Sequence, residues 1–243
     1  MAEMGCRYTR DLIITPSMCD SESRLSIPAA FDLFQDTATL HADYFEIGPE
    51  GMNRRNYFWV ITKTVMSFNR LPSMMDHVQA RTWIQPADRA KCERDFAIYS
   101  GDELLMTCRS IWAVMSHDTG RLVPMAGLYP EIEFDEPAPE ELGFEKISKS
   151  FDGCEEIGSY TVRSVDIDLG GHMNNVNYIR AALGCFTSEE INSSRIRGIE
   201  VQYISQTYEG ETLTFRMRPA EEGFDIGAFS SEGKAMFLAR VIL

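Results

Sequence analysis

Apolar residues along this chain follow a helical period and a strand period in turn, and the same succession is met twice. A short β-type run over residues 7–14 comes first. After Ser26, the positions Ile27, Ala30, Phe31, Phe34, Ala38, Ala42 and Phe45, with His41 among them, recur every three or four residues. That spacing predicts a helix with one buried face. Ser26 is placed to cap it and Pro28 lies in the first turn, where a missing N–H does no harm. Gly48-Pro49 is expected to stop it. The period then drops to two. Residues 57–68 are apolar on both parities, as in a strand covered on both faces. Val78, Ala80, Thr82 and Ile84 alternate with polar neighbours, as do Cys92, Arg94, Phe96 and Ile98. Turns are expected at 100–103 and 117–120, flanking a further strand over 104–115.

From Met125 to Gly153 the character changes: Pro130, Pro137 and Pro139 punctuate a run holding Glu131, Glu133, Asp135, Glu136, Glu140 and Glu141. Such a stretch reads as a linker lying over the surface. Beyond it the first pattern returns. Residues 159–168 alternate as a strand, and Val176, Ile179, Leu183 and Phe186 give a helix over 175–186. Strands are expected over 199–206, 212–217, 224–229 and 235–243. The expected organisation is therefore an N-terminal domain at 1–124, a linker at 125–153 and a C-terminal domain at 154–243. In each domain an antiparallel sheet packs around one apolar helix.

Composition narrows the function. With 23 Lys+Arg against 37 Asp+Glu the net charge is −14, which disfavours nucleic acid and anionic membrane surfaces. No apolar run reaches the roughly 18 residues needed to span a bilayer. The start, Met1-Ala2-Glu3-Met4-Gly5, has no basic stretch followed by an apolar one, so the chain is expected in the cytoplasm. Cysteines at 6, 19, 92, 108, 154 and 185 form no CxxC pair and are expected to be reduced. GxGxxG, GxxxxGK[ST], GxSxG and HExxH are all absent, and the four histidines are scattered, so no cofactor or metal is expected.

One segment concentrates chemistry. Residues 165–178 hold Asp166, Asp168, Gly170, Gly171, His172, Asn174, Asn175 and Asn177 between the expected strand and helix. A helix start offers unpaired N–H groups to a developing oxyanion, and a carboxylate four residues from an imidazole can orient it as a base. Purely structural roles fit the same residues: Asn174 or Asn175 as helix cap, the glycines supplying positive φ, and His172 as a packed core histidine.

The run Asp166-Ile167-Asp168-Leu169-Gly170-Gly171-His172-Met173-Asn174-Asn175-Val176-Asn177-Tyr178 resembles the D-x-D-x-N-x-H-x-N-N-x-x-Y signature of acyl-acyl-carrier-protein thioesterases. Landmarks in the first half are also similar to that family: Leu33-Phe34-Gln35-Asp36-Thr37-Ala38, Trp59-Val60, Arg70-Leu71-Pro72, Thr82-Trp83, Cys92-Glu93-Arg94-Asp95-Phe96 and Ser110-Ile111-Trp112. The resemblance implies an α+β chain of two fused hotdog domains, with the active site on the second. It implies hydrolysis of a fatty acyl thioester on acyl carrier protein, without cofactor, through water attack. Asp168 and His172 match the family's site residues. Gly170 stands where the family usually has Asn, and Gln206 where it usually has Glu. Asp168, His172 and Gln206 are thus the candidate catalytic residues, and Gly170, Gly171, Asn174 and Asn175 the candidate substrate-binding ones. The two departures keep an acyl-CoA thioesterase and a non-catalytic acyl-binding protein as alternatives. Docking of an acidic carrier on an acidic chain calls for a basic patch; Arg54-Arg55 is a candidate, with a solvated pair as the plainer reading. Fused hotdogs satisfy the pairing that single ones reach by dimerising, so both monomer and homodimer stay open.

Overall fold

The computed structural model describes residues 5–130, 132–133, 138–140 and 142–243. The expectations resting on residues 1–4, Glu131, Asp135, Glu136, Pro137 and Glu141 lie outside the described residues. The chain divides into two compact units, 1–142 and 143–243.

In the first unit, β1 (Arg7–Ile13) is followed by α1 (Ile27–Tyr44) and α2 (Pro49–Arg54). Then come β2 (Tyr57–Phe68), β3 (His77–Ile84), β4 (Lys91–Ser100), β5 (Glu103–Ser116) and β6 (Leu122–Val123). The strands form an antiparallel sheet in the order β1-β3-β4-β5-β2, with β6 beside β5. The Ser26 hydroxyl accepts from the Ala29 N–H and Pro28 lies in the first turn of α1, as the pattern predicts. Its apolar face, including Ala30, Phe31, Phe34 and Ala38, is buried. Phe34 meets Phe96 of β4 at 5.1 Å between ring centres, and His41 stacks on Tyr8 of β1 at 5.6 Å. Helix α1 ends at Tyr44, where the Phe45 N–H caps onto the Ala42 and Asp43 carbonyls, so Gly48-Pro49 is not its stop; Gly48 instead caps α2, with Pro49 at the first helical position.

The second unit contains β7 (Glu155–Thr161), α3 (Asn175–Leu183), α4 (Ser188–Ser193), β8 (Gly198–Tyr203), β9 (Thr212–Ala220), β10 (Gly223–Phe229) and β11 (Ala235–Ile242). Its antiparallel order is β8-β11-β10-β9-β7. Tyr178 of α3 stacks on Phe237 of β11 at 5.4 Å and meets Tyr203 of β8 edge-on at 6.0 Å, seating the helix on the sheet.

The two units share a device. Asp95 of β4 lies opposite Arg109 of β5, which grips it through Nε at 2.6 Å and Nη2 at 3.0 Å. Asp225 of β10 lies opposite both Arg218 of β9 and Arg240 of β11, and both donate to it. Each buried carboxylate is thus neutralised by arginine on an adjoining strand, the condition for tolerating such a charge.

Three expectations change. The stretch 125–153 is packed at both ends: Met125 is buried with Val114 and Cys92 in the first unit, and Phe151 lies in the core of the second against Phe229. The strand expected over 159–168 begins at Glu155 and ends at Thr161. There Asp166 Oδ2 accepts from the Arg163 N–H and from the Tyr160 hydroxyl, both at 2.8 Å, folding 164–166 into a 3-10 turn. The helix expected over 175–186 ends at Leu183, and Gly184 closes it with its N–H on the Arg180 carbonyl.

Candidate active site

The turn that joins the 3-10 segment to α3 is tied by short backbone bonds. Asp168 N–H donates to the His172 carbonyl at 3.0 Å, Gly171 N–H to the Asp168 carbonyl at 3.0 Å, and Asn174 N–H to the Asp166 carbonyl at 2.8 Å. Gly171 has φ +77°, a conformation that favours glycine. Met173 N–H donates to the Thr207 carbonyl at 2.8 Å, and the Tyr178 hydroxyl donates to Thr207 Oγ1 at 2.9 Å. The loop after β8 is thereby fastened to the turn. Burial raises the Tyr178 pKa, which keeps this hydroxyl a donor.

This tight turn brings Asp168 and His172 together. Asp168 Oδ1 accepts from the Gly170 N–H at 2.8 Å, leaving Oδ2 facing His172 Nδ1 at 3.6 Å. Nδ1 also lies 3.5 Å from the Met173 carbonyl. Both oxygens are acceptors, so the ring proton belongs on Nδ1 and the lone pair on Nε2. The side chains are 25% and 16% exposed, open enough to meet a substrate. At this separation the pair is an electrostatic one.

The other candidates divide. Asn174 is the helix cap: its side-chain oxygen accepts from the Val176 N–H at 2.9 Å, the structural role also open to it from the sequence. Asn175 opens α3 and its carbonyl accepts from the Tyr203 hydroxyl at 3.2 Å. Of the N–H groups along 170–177, those of His172 and Asn175 meet no acceptor among the described residues. Gln206 sits beyond the end of β8, in an exposed loop rather than on a strand. Its Oε1 accepts from the Tyr208 hydroxyl at 3.1 Å, so the amide NH2 is left to donate. Sequence reasoning passes over Thr207 and Tyr208; the tyrosine of the signature is the one signal leading to Thr207.

In the first unit His41 is completely buried, held between Arg94 and the Gly5 carbonyl. Trp59 donates to the Ile47 carbonyl at 2.7 Å, Trp112 donates to Ser110 Oγ, and Trp83 is buried in the core. Arg54 pairs with Glu50 at 2.9 Å on an exposed face, an ordinary solvated pair. Among the described residues no three His, Cys, Asp or Glu side chains are grouped to hold a metal ion, and no helix is long and apolar enough to cross a membrane.

Two units, each with antiparallel strands packed on one main helix, define a tandem hotdog architecture. Solved structures of the same fold include an acyl-ACP thioesterase from Bacteroides thetaiotaomicron, with TM-score 0.86, 24% identity and 97% of each chain covered. The 12:0-ACP thioesterase from Umbellularia californica gives TM-score 0.82 at 20% identity, covering 100% of this chain and 98% of that one. The model of the acyl-ACP thioesterase N-terminal domain matches residues 5–131, and that of the C-terminal domain matches 151–234. The chain belongs to the acyl-ACP thioesterase family. It is also similar to the chloroplastic acyl-[acyl-carrier-protein] hydrolase FATB3 of Cuphea viscosissima, 29% identical over 215 residues that cover 82% of this chain and 52% of that protein. The chain spans about half to three-fifths of the length of the curated relatives it matches.

Proposed function

We propose that this chain hydrolyses a fatty acyl thioester carried on acyl carrier protein, releasing free fatty acid and the carrier thiol. Family membership across both units supports the substrate class, and the Asp168–His172 pair is the observation that carries the chemistry. Water attacks the thioester carbonyl carbon while His172 Nε2 takes its proton. The carbonyl π electrons move to oxygen, and the oxyanion is held by N–H groups at the start of α3, where those of His172 and Asn175 are open. Asp168 holds Nδ1 protonated and stabilises the imidazolium. Collapse of the intermediate breaks the C–S bond, and the leaving thiolate takes the proton back from Nε2. No cofactor enters these steps.

The test is thiol release by the purified chain from acyl-carrier-protein and acyl-CoA thioesters of matched chain length. Turnover on the carrier substrate supports the reading. Turnover on acyl-CoA alone replaces the carrier, and acyl binding with no thiol release from either overturns hydrolysis.

A further inference from the structure

The two adjacent glycines of the turn are there for different reasons. Gly171 has φ +77° and open space around it: a Cβ there meets nothing within 4 Å. Its requirement is set by the backbone. Gly170 is absent from the positive-φ residues, so a left-handed φ is not what calls for glycine there. Yet a Cβ at 170 would stand 2.8 Å from His172 Nε2, 3.3 Å from His172 Cδ2 and 3.1 Å from Asp168 Oδ1. All three are atoms of the two side chains proposed to do the chemistry. At Gly51 and Gly223, by contrast, the Cβ would lie 2.1 Å from a backbone oxygen, and the fold itself excludes a side chain.

We infer that Gly170 is a positioning residue for hydrolysis, keeping His172 Nε2 unobstructed beside the Asp168 carboxylate by carrying no side chain. The inference rests on the proposed hydrolase reading. Nε2 is the nitrogen that the acceptors around Nδ1 leave free to take a proton. It is also the atom that a substituent at 170 would reach first. The same residue's N–H holds Asp168 Oδ1 at 2.8 Å, so position 170 touches both members of the pair. An Asn here, as the family signature usually has, requires the imidazole to leave its present seat. Glycine at 170 and this placement of His172 therefore belong together, and the departure from the signature is a change in how the base is held.

The experiment compares wild type with Gly170→Ala in thiol release, melting temperature and the imidazole 1H–15N correlation spectrum. Because the crowded atoms end side chains that can swing away, the variant is expected to melt with the wild type. Its kcat should fall by about 10-fold or more with KM unchanged, as a misplaced base produces, and the His172 ring resonances should move. Unchanged kcat in the variant overturns the inference while leaving the hydrolase reading intact. A second measurement needs no variant: the wild-type protein must show a nuclear Overhauser contact between Gly170 Hα and the His172 ring, and its absence overturns the inference whatever the stability of Gly170→Ala. Wild type that releases no thiol from any acyl thioester is the separate failure of the hydrolase reading, and the positioning role falls with it.

Discussion

Arg94 Nη1 lies 3.1 Å from His41 Nδ1 inside the first unit. A guanidinium only donates, so Nδ1 accepts, and the ring proton is on Nε2, which faces the Gly5 carbonyl at 3.3 Å. Burial, reinforced by the Arg94 charge, pushes the His41 pKa down to about 3. His41 is neutral and its one lone pair is occupied, so it is no general base for the reaction. The native state holds it neutral down to about pH 3, whereas the unfolded chain protonates it near 6.5. Protons therefore favour unfolding between those values, and stability falls as the pH drops through that window. Replacing His41 by Asn should reduce the stability lost between pH 6.5 and 5 by about 2 kcal/mol, read by denaturant melts at the two pH values. Turnover should persist. A well-folded His41→Asn protein without activity moves the site into the first unit.

The paired arginines around Asp225 give a prediction on stability alone. Arg218 and Arg240 both donate to this carboxylate, which is 2% exposed. Asp225→Ala leaves two cations facing a cavity, and should cost roughly 3–5 kcal/mol. Urea titration of the variant checks it; a loss under about 1 kcal/mol would show water entering freely and the pairing to be incidental.

What the sequence made legible follows from how local each signal is. Helix α1 runs 18 residues with a Ser cap, a Pro in the first turn and a continuous apolar face, so the chain around Ser26 carries nearly all the information. The long strands follow from alternation. Helices α2 and α4 are six residues each, less than two turns, and Gly48-Pro49 reads as a stop although α1 ends before it and it starts α2. The end of β7 is hidden because the alternation continues past Thr161. Only the bonds of Asp166 to Arg163 and Tyr160 break the strand, and these depend on where side chains point. The same division holds at the site. The four-residue spacing of Asp168 and His172 is readable, whereas the room at Gly170 and the loop position of Gln206 come from tertiary placement.

Gln206→Glu tests whether the second departure limits the proposed hydrolysis. The Tyr208 hydroxyl, 3.1 Å from Oε1, donates to a carboxylate as readily as to an amide. The residue is exposed, so the added charge is solvated. The variant should fold normally and retain turnover, with a faster rate where a second carboxylate helps align water. A fall of about 10-fold or more would instead identify the amide NH2 as a required donor to the reacting oxygens. Tyr208→Phe, which frees the amide to rotate, should then show a milder version of the same loss.

The strongest test falls on the pair itself. Asp168→Asn preserves size and the acceptor for the Gly170 N–H, but removes the charge facing His172 Nδ1 across 3.6 Å. Its amide can turn a donor toward Nδ1, which moves the ring proton to Nε2 and abolishes the base. His172→Ala removes the ring and leaves the turn's backbone bonds in place. Each should lower kcat by about 10²-fold or more. The double variant should be little worse than either single one, because two groups acting as a unit are lost together. Stopped-assay thiol release at fixed carrier-thioester concentration gives all four rates. Independent, multiplying losses would mean that carboxylate and imidazole act on different atoms of the reaction. Full activity in Asp168→Asn would leave the fold assignment untouched and shift activation of water to another group.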